Sequence, residues 1–193
     1  RPSDDAGFAL TLITTRQTIL PKRLVEPGPS VAQVSDLFKA AAAAPDHGTS
    51  TPWRFVLVPS SRREALADVF AQALRERDAL ATDSQIAQAR EKAFRAPFLA
   101  LAIARLGDDD SCIDPLERMV SVGAAVQNML LCAHGMGFGS SLTSGQAMRV
   151  PALRQLFRIA EGEQAICFVN VGTVSQRRPA RLRPDPATFV SSL

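Results

Sequence analysis

The chain has 193 residues, of which 46% are hydrophobic. This is enough for one well-buried core and marginal for two, so we expect a single domain over residues 1–193. No apolar run approaches the roughly 20 residues that span a bilayer, and a net charge of +3 does not by itself indicate a nucleic-acid-binding protein. The three cysteines are far apart and form no C-x-x-C pair, which argues against a disulfide framework or zinc ribbon. Together with the lack of a basic-plus-apolar signal pattern, this favours a cytoplasmic protein.

The first third of the chain predicts two helices and a strand. Apolar spacing predicts a helix over residues 8–16, which ends before Pro21. A second helix has an amphipathic face, with Ser30 as its N-terminal cap, and ends by Ala44 because a proline follows. A plain apolar strand comes next, at residues 55–58.

The remaining two thirds continue the alternation of helices and strands. Ser60 or Ser61 is expected to cap a charged helix that runs to Arg77. The later expected elements are a polar helix over 84–94, a strand or helix over 98–104, a helix over 119–133, a short helix after Pro151, a strand over 165–172 and an extended tail. The helix over 119–133 is apolar almost all round, which is typical of a buried helix. This pattern predicts an α+β sandwich with a small sheet.

A polar loop connects the second helix to the strand that follows it. Five alanines, the best helix formers, end at Pro45. Asp46, His47 and three hydroxyl residues then precede Pro52 and Trp53, the single tryptophan of the chain. His47 is a candidate functional residue, and the alternative is a histidine that only forms hydrogen bonds within the loop. We expect Trp53 to anchor the loop in the core.

The glycine-rich stretch over residues 135–141 does not match a dinucleotide-binding fingerprint. Ser140 stands where glycine is needed, and the stretch follows a helix instead of a strand. It is interpreted as a helix stop that leads into a strand. His134, just before it, is expected to complement the helix dipole. Neither His134 nor His47 has a carboxylate at metal-ligand spacing, so no metal site is expected.

Four segments occur in one order along nearly the whole chain: "TRQT", "APDHGTSTPWRF", "GAAVQNMLLCAHGMGFG" and "GTV" with "RPDPATFV". Together they resemble the minimal-length branch of the FMN-dependent nitroreductase family. The resemblance implies a nitroreductase-like α+β sandwich, with a small mixed or antiparallel sheet flanked by helices, and a homodimer with two FMN sites at its interface. It also implies that NADH or NADPH reduces the flavin, and that a small organic acceptor, such as a nitro compound or quinone, then takes the electrons in a ping-pong scheme.

The resemblance also implies which residues bind the cofactor. Arg16, Gln17 and Thr18 correspond to the family's early flavin- and phosphate-binding segment. The other positions are Ala43 and His47, which would act from the partner subunit, Thr49, the stretch Leu142, Thr143 and Ser144, and Arg181 or Arg183 on the phosphate. No side chain is expected to act as a catalytic nucleophile or base, since the flavin performs the hydride chemistry.

The chain departs from the family pattern at three of these positions. Gln17, Ala43 and Thr143 are uncharged where relatives carry arginine. Charge-assisted hydrogen bonds to a phosphate are strong, so their loss weakens FMN binding. Two alternatives follow. Either Arg16 and the tail arginines compensate, or the chain is a non-catalytic dimer that binds a flavin or another small molecule weakly. Neither a nucleic acid nor a membrane is an expected partner.

Overall fold

Helices and strands alternate along the part of the chain that the computed structural model describes, namely residues 2–48, 50–107, 112–177, 179 and 181–193. The helices are α1 (Pro2–Thr15), α2 (Val31–Ala42), α3 (Arg63–Arg77), α4 (Asp83–Glu91), α5 (Pro115–Gly135) and α6 (Pro151–Phe157). The strands are β1 (Leu24–Val25), β2 (Trp53–Leu57), β3 (Phe98–Arg105), β4 (Gly139–Thr143) and β5 (Glu163–Val174). Short 3-10 turns lie at Pro21–Arg23, Ser60–Arg62, Lys92–Phe94, Gln146–Arg149 and Pro186–Thr188.

The strands form one small sheet around β5. Their order is β1-β5-β3-β2, and β4 also pairs with β5. All these pairings are antiparallel. The register of β3 on β5 shifts between Ala102 and Ile103, which marks a bulge. The fold is therefore α+β, as the sequence predicted, and the run over residues 98–104 is a strand.

The sheet separates two apolar cores. Helices α2 and α5 cover one face, where Ala100, Ala102 and Ala104 of β3 are fully buried. The small alanine side chains let α5 pack close to the sheet. The opposite face packs Leu101 and Phe168 against side chains of α3 and α6. Trp53 is buried in the first core, so its predicted anchoring role is confirmed.

Capping explains why some predicted helix ends are right and one is wrong. The Ser30 side chain accepts from the Gln33 backbone N–H, and the Gln33 side chain accepts from Ser30 in return, which forms a capping box at α2. By contrast, Ser60 and Ser61 do not cap α3. They lie in a 3-10 turn, and α3 begins after it without a side-chain cap.

Helix α5 is not buried all round within one chain, so that prediction is wrong for the single chain. One face, with Val122 and Met129, packs in the core. The other face leaves Val120 72% exposed, and on the neighbouring helix α1 Phe8 is 70% exposed. An apolar surface therefore remains on both helices.

The predicted glycine stop between α5 and β4 is confirmed, and a second glycine sets how β4 packs. Gly137 has φ of +87°, a conformation that glycine adopts without strain. A Cβ atom on Gly139 would lie 2.6 Å from Val174 and 2.9 Å from Ile19 and Leu24. Glycine at this position therefore lets the chain after α1 pack against β4.

A partly buried ion pair ties β2 to the start of β5. Arg54 Nε and Nη2 each donate to a carboxylate oxygen of Glu163 at 2.7 Å. The same carboxylate accepts from the Ala160 backbone N–H at 3.0 Å. The hydrogen bonds from Arg54 are the main cause that lowers the pKa of Glu163 to about 2.

We expect Glu163→Gln to lower the free energy of unfolding at neutral pH by about 1.5–3 kcal/mol, since Arg54 loses its charged partner. The folded-state pKa of Glu163 lies below the ordinary carboxyl value of 4.5, so this stabilisation is present above that value and is lost as the pH falls towards 2. Urea unfolding at several pH values should show that the difference in the free energy of unfolding between wild type and variant decreases in that range. The control Glu161→Gln alters an exposed carboxylate nearby and should change little. An equal loss in both variants would contradict the role of the pair.

Candidate functional site

The chain segment after α1 lies directly against β4. Thr18 forms an isolated parallel bridge with Ser140, and the Ile19 backbone N–H donates to the Ser140 carbonyl at 3.0 Å. Two of the predicted cofactor-binding segments, residues 16–18 and 142–144, therefore share one edge of the sheet.

Arginine side chains gather where α1 ends. Arg183 Nη2 donates to the Arg16 carbonyl at 2.6 Å. Among the described residues, neither Arg16 nor Arg183 forms an ion pair with a carboxylate. Burial and the charge of Arg183 lower the pKa of Arg16. This unneutralised positive charge makes the end of α1 suitable for an anion.

Arg16 also presents an unpaired donor. Its Nε atom is buried and makes no hydrogen bond with any described residue. A buried N–H without an acceptor is costly, so such groups normally find a partner. A bound anion, or water ordered by one, would supply it.

His134 lies beside this group, in the last turn of α5. This is the helix end at which the sequence predicted it. Its Nε2 lies 2.9 Å from Thr15 Oγ1. Burial first, and then the charges of Arg177 and Arg16, lower the pKa of His134. We call Arg16, His134, Arg177 and Arg183 the cationic cluster.

A cavity of about 520 Å³ lies at the other end of β4, between the sheet, α3 and α4. Thr143 and Ser144 line it, together with Pro21 from the segment that packs on β4. Lys92 and Arg95 bring positive charge to its wall. Asp78 lines the same cavity, and Arg95 forms an ion pair with Glu91 at 2.8 Å. The cavity is therefore large enough for a small organic ligand and mixes apolar with charged surface.

Asn170 of β5 fixes the wall of this cavity. The residue is 3% exposed, and its Nδ2 donates to Thr143 Oγ1 at 3.0 Å and to the Ser141 and Phe168 carbonyls at 3.3 Å each. Its amide thus holds the end of β4 against β5. The neighbouring Ser141 Oγ is buried and has no hydrogen bond to a described residue.

The predicted site residues fall into two groups. Arg16, Gln17, Thr18, Leu142, Thr143, Ser144 and Arg183 lie along or beside β4. Arg181 is exposed and makes no hydrogen bond or ion pair with another described residue. Ala43 and His47 lie elsewhere, at the end of α2 and in the loop that follows. Thr49 falls outside the described residues.

The loop that carries His47 is held by Asp46. The Asp46 carboxylate accepts from Ser50 Oγ at 2.9 Å and from the Thr51 backbone N–H. His47 itself is exposed, and its Nδ1 lies 3.4 Å from Glu117 Oε2 at the start of α5. Within one chain, His47 therefore faces solvent and α5, and not the cavity beside β4.

Three residues of the cavity were not identified from the sequence. Asn170 is the single polar side chain in the apolar run "CFVNVG", and that contrast was a visible signal. Lys92 and Arg95 follow a polar helix that is typical of a solvated surface, so nothing in the sequence placed them in a site.

Two kinds of feature are absent from the described residues. No three His, Cys, Asp or Glu side chains in that part of the chain come together as a metal site. None of its helices is both long and apolar enough to cross a membrane.

A small antiparallel sheet covered by helices on both faces makes the chain an α+β domain. The chain belongs to the nitroreductase family, since residues 13–173 match the model described as "Nitroreductase family". It is 30% identical over 187 residues to the Escherichia coli (strain K12) protein named "Putative NAD(P)H nitroreductase YdjA". The matched region covers 95% of this chain and 98% of that relative.

Solved structures show the same fold. The nitroreductase-like family protein from Bacillus cereus matches with a TM-score of 0.79 and 17% identity, over 95% of each chain. An FMN-dependent nitroreductase from Clostridium difficile R20291 matches with a TM-score of 0.66 and 15% identity, over 95% of this chain and 98% of that one.

Proposed function

We propose that the chain is an FMN-dependent oxidoreductase. It takes electrons from NADH or NADPH and passes them to a small organic acceptor, such as a nitro compound or a quinone, in a ping-pong scheme. The observation that carries this proposal is the two-part site along β4, with the cationic cluster near one end and the cavity at the other. FMN also has two parts, a phosphate and a flat ring system.

The cationic cluster fits the phosphate. Arg16 and Arg183 lie together without a carboxylate among the described residues, and Arg16 Nε lacks a hydrogen-bond partner there. The tail arginine Arg183 thus supplies positive charge that Gln17 and Thr143 do not. This supports the first of the two alternatives drawn from the sequence, in which other arginines compensate.

The cavity fits the ring system. Thr143 and Ser144 lie about three residues of extended strand, or about 10 Å, beyond the Thr18–Ser140 bridge. Lys92 and Arg95 on the cavity wall would stabilise negative charge on a reduced ring. When bound, FMN would supply the hydride chemistry, and the residues of this chain hold, orient and electrically tune it.

We also propose a homodimer, which would complete the site. Phe8, Leu10 and Ile13 of α1 are 50–70% exposed, and Leu116 and Val120 of α5 are more than 70% exposed. Exposed apolar surface of this kind is typical of an interface. A second copy that covers α5 would approach the loop of His47, which contacts the start of that helix. This gives His47 and Ala43 a route to the cofactor of the partner.

Purified protein tests the proposal directly. We expect a yellow protein, or one that becomes yellow with added FMN, whose flavin absorbance bleaches when NADH or NADPH is added without oxygen. Adding a quinone or nitroaromatic compound should restore the colour. A protein that binds FMN without bleaching is the non-catalytic dimer, and one that takes up no flavin contradicts the proposal.

Alanine substitutions in the cationic cluster should separate FMN from riboflavin, which lacks the phosphate. Arg16→Ala and Arg183→Ala should each weaken FMN by about 1.5–3 kcal/mol, or roughly ten- to a hundredfold in Kd, and riboflavin much less. Fluorescence titration of both flavins measures this. Arg181→Ala is the matched control, since Arg181 is exposed and makes no hydrogen bond or ion pair with another described residue, and its effect should be smaller. Equal weakening of both flavins by Arg16→Ala would place the phosphate elsewhere.

Light scattering should give twice the chain mass of 20.7 kDa. Val120→Glu puts a charge in the apolar surface of α5, so it should shift the mass towards one chain and weaken FMN binding as well. Val31→Glu is the control, because Val31 is 90% exposed at the start of α2. A monodisperse single chain for the wild type at micromolar concentration would contradict the dimer.

A further inference from the structure

His134 is held in one orientation by a hydrogen bond whose direction can be assigned. Its Nε2 lies 2.9 Å from Thr15 Oγ1. The hydroxyl of Thr15 has one proton, and it donates that proton to the Thr11 carbonyl at 2.7 Å. Thr15 Oγ1 must therefore accept from His134, so Nε2 carries a proton.

The other ring nitrogen of His134 is then the one that titrates. In the neutral ring, Nδ1 has a lone pair, and it makes no hydrogen bond to a described residue. A proton taken up at Nδ1 would turn it into a donor and would leave the bond to Thr15 intact. The ring can thus gain a charge without moving.

In the absence of an anion, the surroundings of His134 disfavour protonation at Nδ1. From the end of α1 Arg16 faces it, and from the segment after β5 Arg177 faces it, while no described carboxylate contributes. Partial burial first, and then these two charges, lower the pKa of His134. A dianion placed among the arginines would offset most of their charge and would attract the charged imidazole, so protonation of His134 would become more favourable.

We propose that His134 is a specificity-determining residue for the phosphate of the cofactor: it takes up one proton at Nδ1 when FMN binds and thereby selects FMN over riboflavin. This inference rests on the proposed function. The only covalent change is the new N–H bond, and the proton comes from solvent. Because binding raises the pKa of His134, its contribution to FMN affinity is present below the free-state pKa and is lost as the pH rises through the bound-state pKa.

Titration calorimetry in buffers of different ionisation enthalpy measures the proton uptake. The experiment is run at about pH 7.5, where the phosphate of FMN, with a second pKa of about 6, is already a dianion and releases few protons. We expect the full-length wild type to take up a fraction of a proton with FMN and none with riboflavin. The same titration at several pH values should show that proton uptake on FMN binding decreases towards higher pH.

Two substitutions separate charge from structure. His134→Gln keeps a donor for Thr15 but cannot titrate, so it should abolish the uptake and weaken FMN up to about tenfold at neutral pH, with riboflavin within about twofold. His134→Lys carries a permanent charge, so it should retain most of the preference for FMN without proton uptake. NMR of the His134 ring should show its pKa rising on FMN binding, and a His47→Gln background assigns the signals.

The outcomes distinguish the inference from the function on which it rests. Proton uptake that persists in His134→Gln, or equal weakening of both flavins, overturns the inference and leaves the flavin enzyme standing. Loss of the FMN preference in His134→Lys as well as in His134→Gln also overturns it. If neither flavin binds to the wild type, the proposed function and the inference fall together.

Discussion

The backbone hydrogen bond from Ile19 to Ser140 is the contact on which the candidate site depends. It joins the end of α1 to an edge strand that is far away in sequence, and so brings Arg16 beside β4 and Pro21 into the cavity wall. Gly139 permits this contact, because a Cβ atom there would lie 2.9 Å from the Ile19 side chain. Without it, the cationic cluster and the cavity would belong to unrelated parts of the molecule.

In the proposed site, the cationic cluster would compensate for the three arginines of the family pattern that the chain lacks. Burial first, and then the neighbouring positive charges, lower the pKa values of Arg16 and His134. Like charges that gather without a carboxylate repel one another. A bound dianion relieves this repulsion, so part of the free energy spent in bringing the charges together returns as affinity. Arg183 reaches the cluster from the tail. A positive charge at this place in the fold can therefore come from a different part of the sequence than in the family pattern.

Sequence patterns within a few residues predicted the fold well. The site depends instead on contacts between residues that are far apart in sequence. The cap at Ser30 and the stop at Gly137 depend on neighbours within a few residues, so the sequence sufficed for them. Arg16 and Thr143 were identified because their segments resemble a known family. Asn170 and Lys92 acquire their roles from β4 and from the cavity wall, and no local pattern contains that information.

The wrong prediction for α5 has the same physical origin as the proposed dimer. Hydrophobic periodicity records every surface that a helix buries, whether against its own chain or against another. In α5 one face packs in the core, while Val120 on the other is exposed in the single chain. An almost fully apolar helix is thus what a dimer of this fold would require. Since the same helix carries His134 in its last turn, a second copy packed on α5 would also hold in place the imidazole that interacts with Arg16. One rigid element would then join assembly to cofactor recognition.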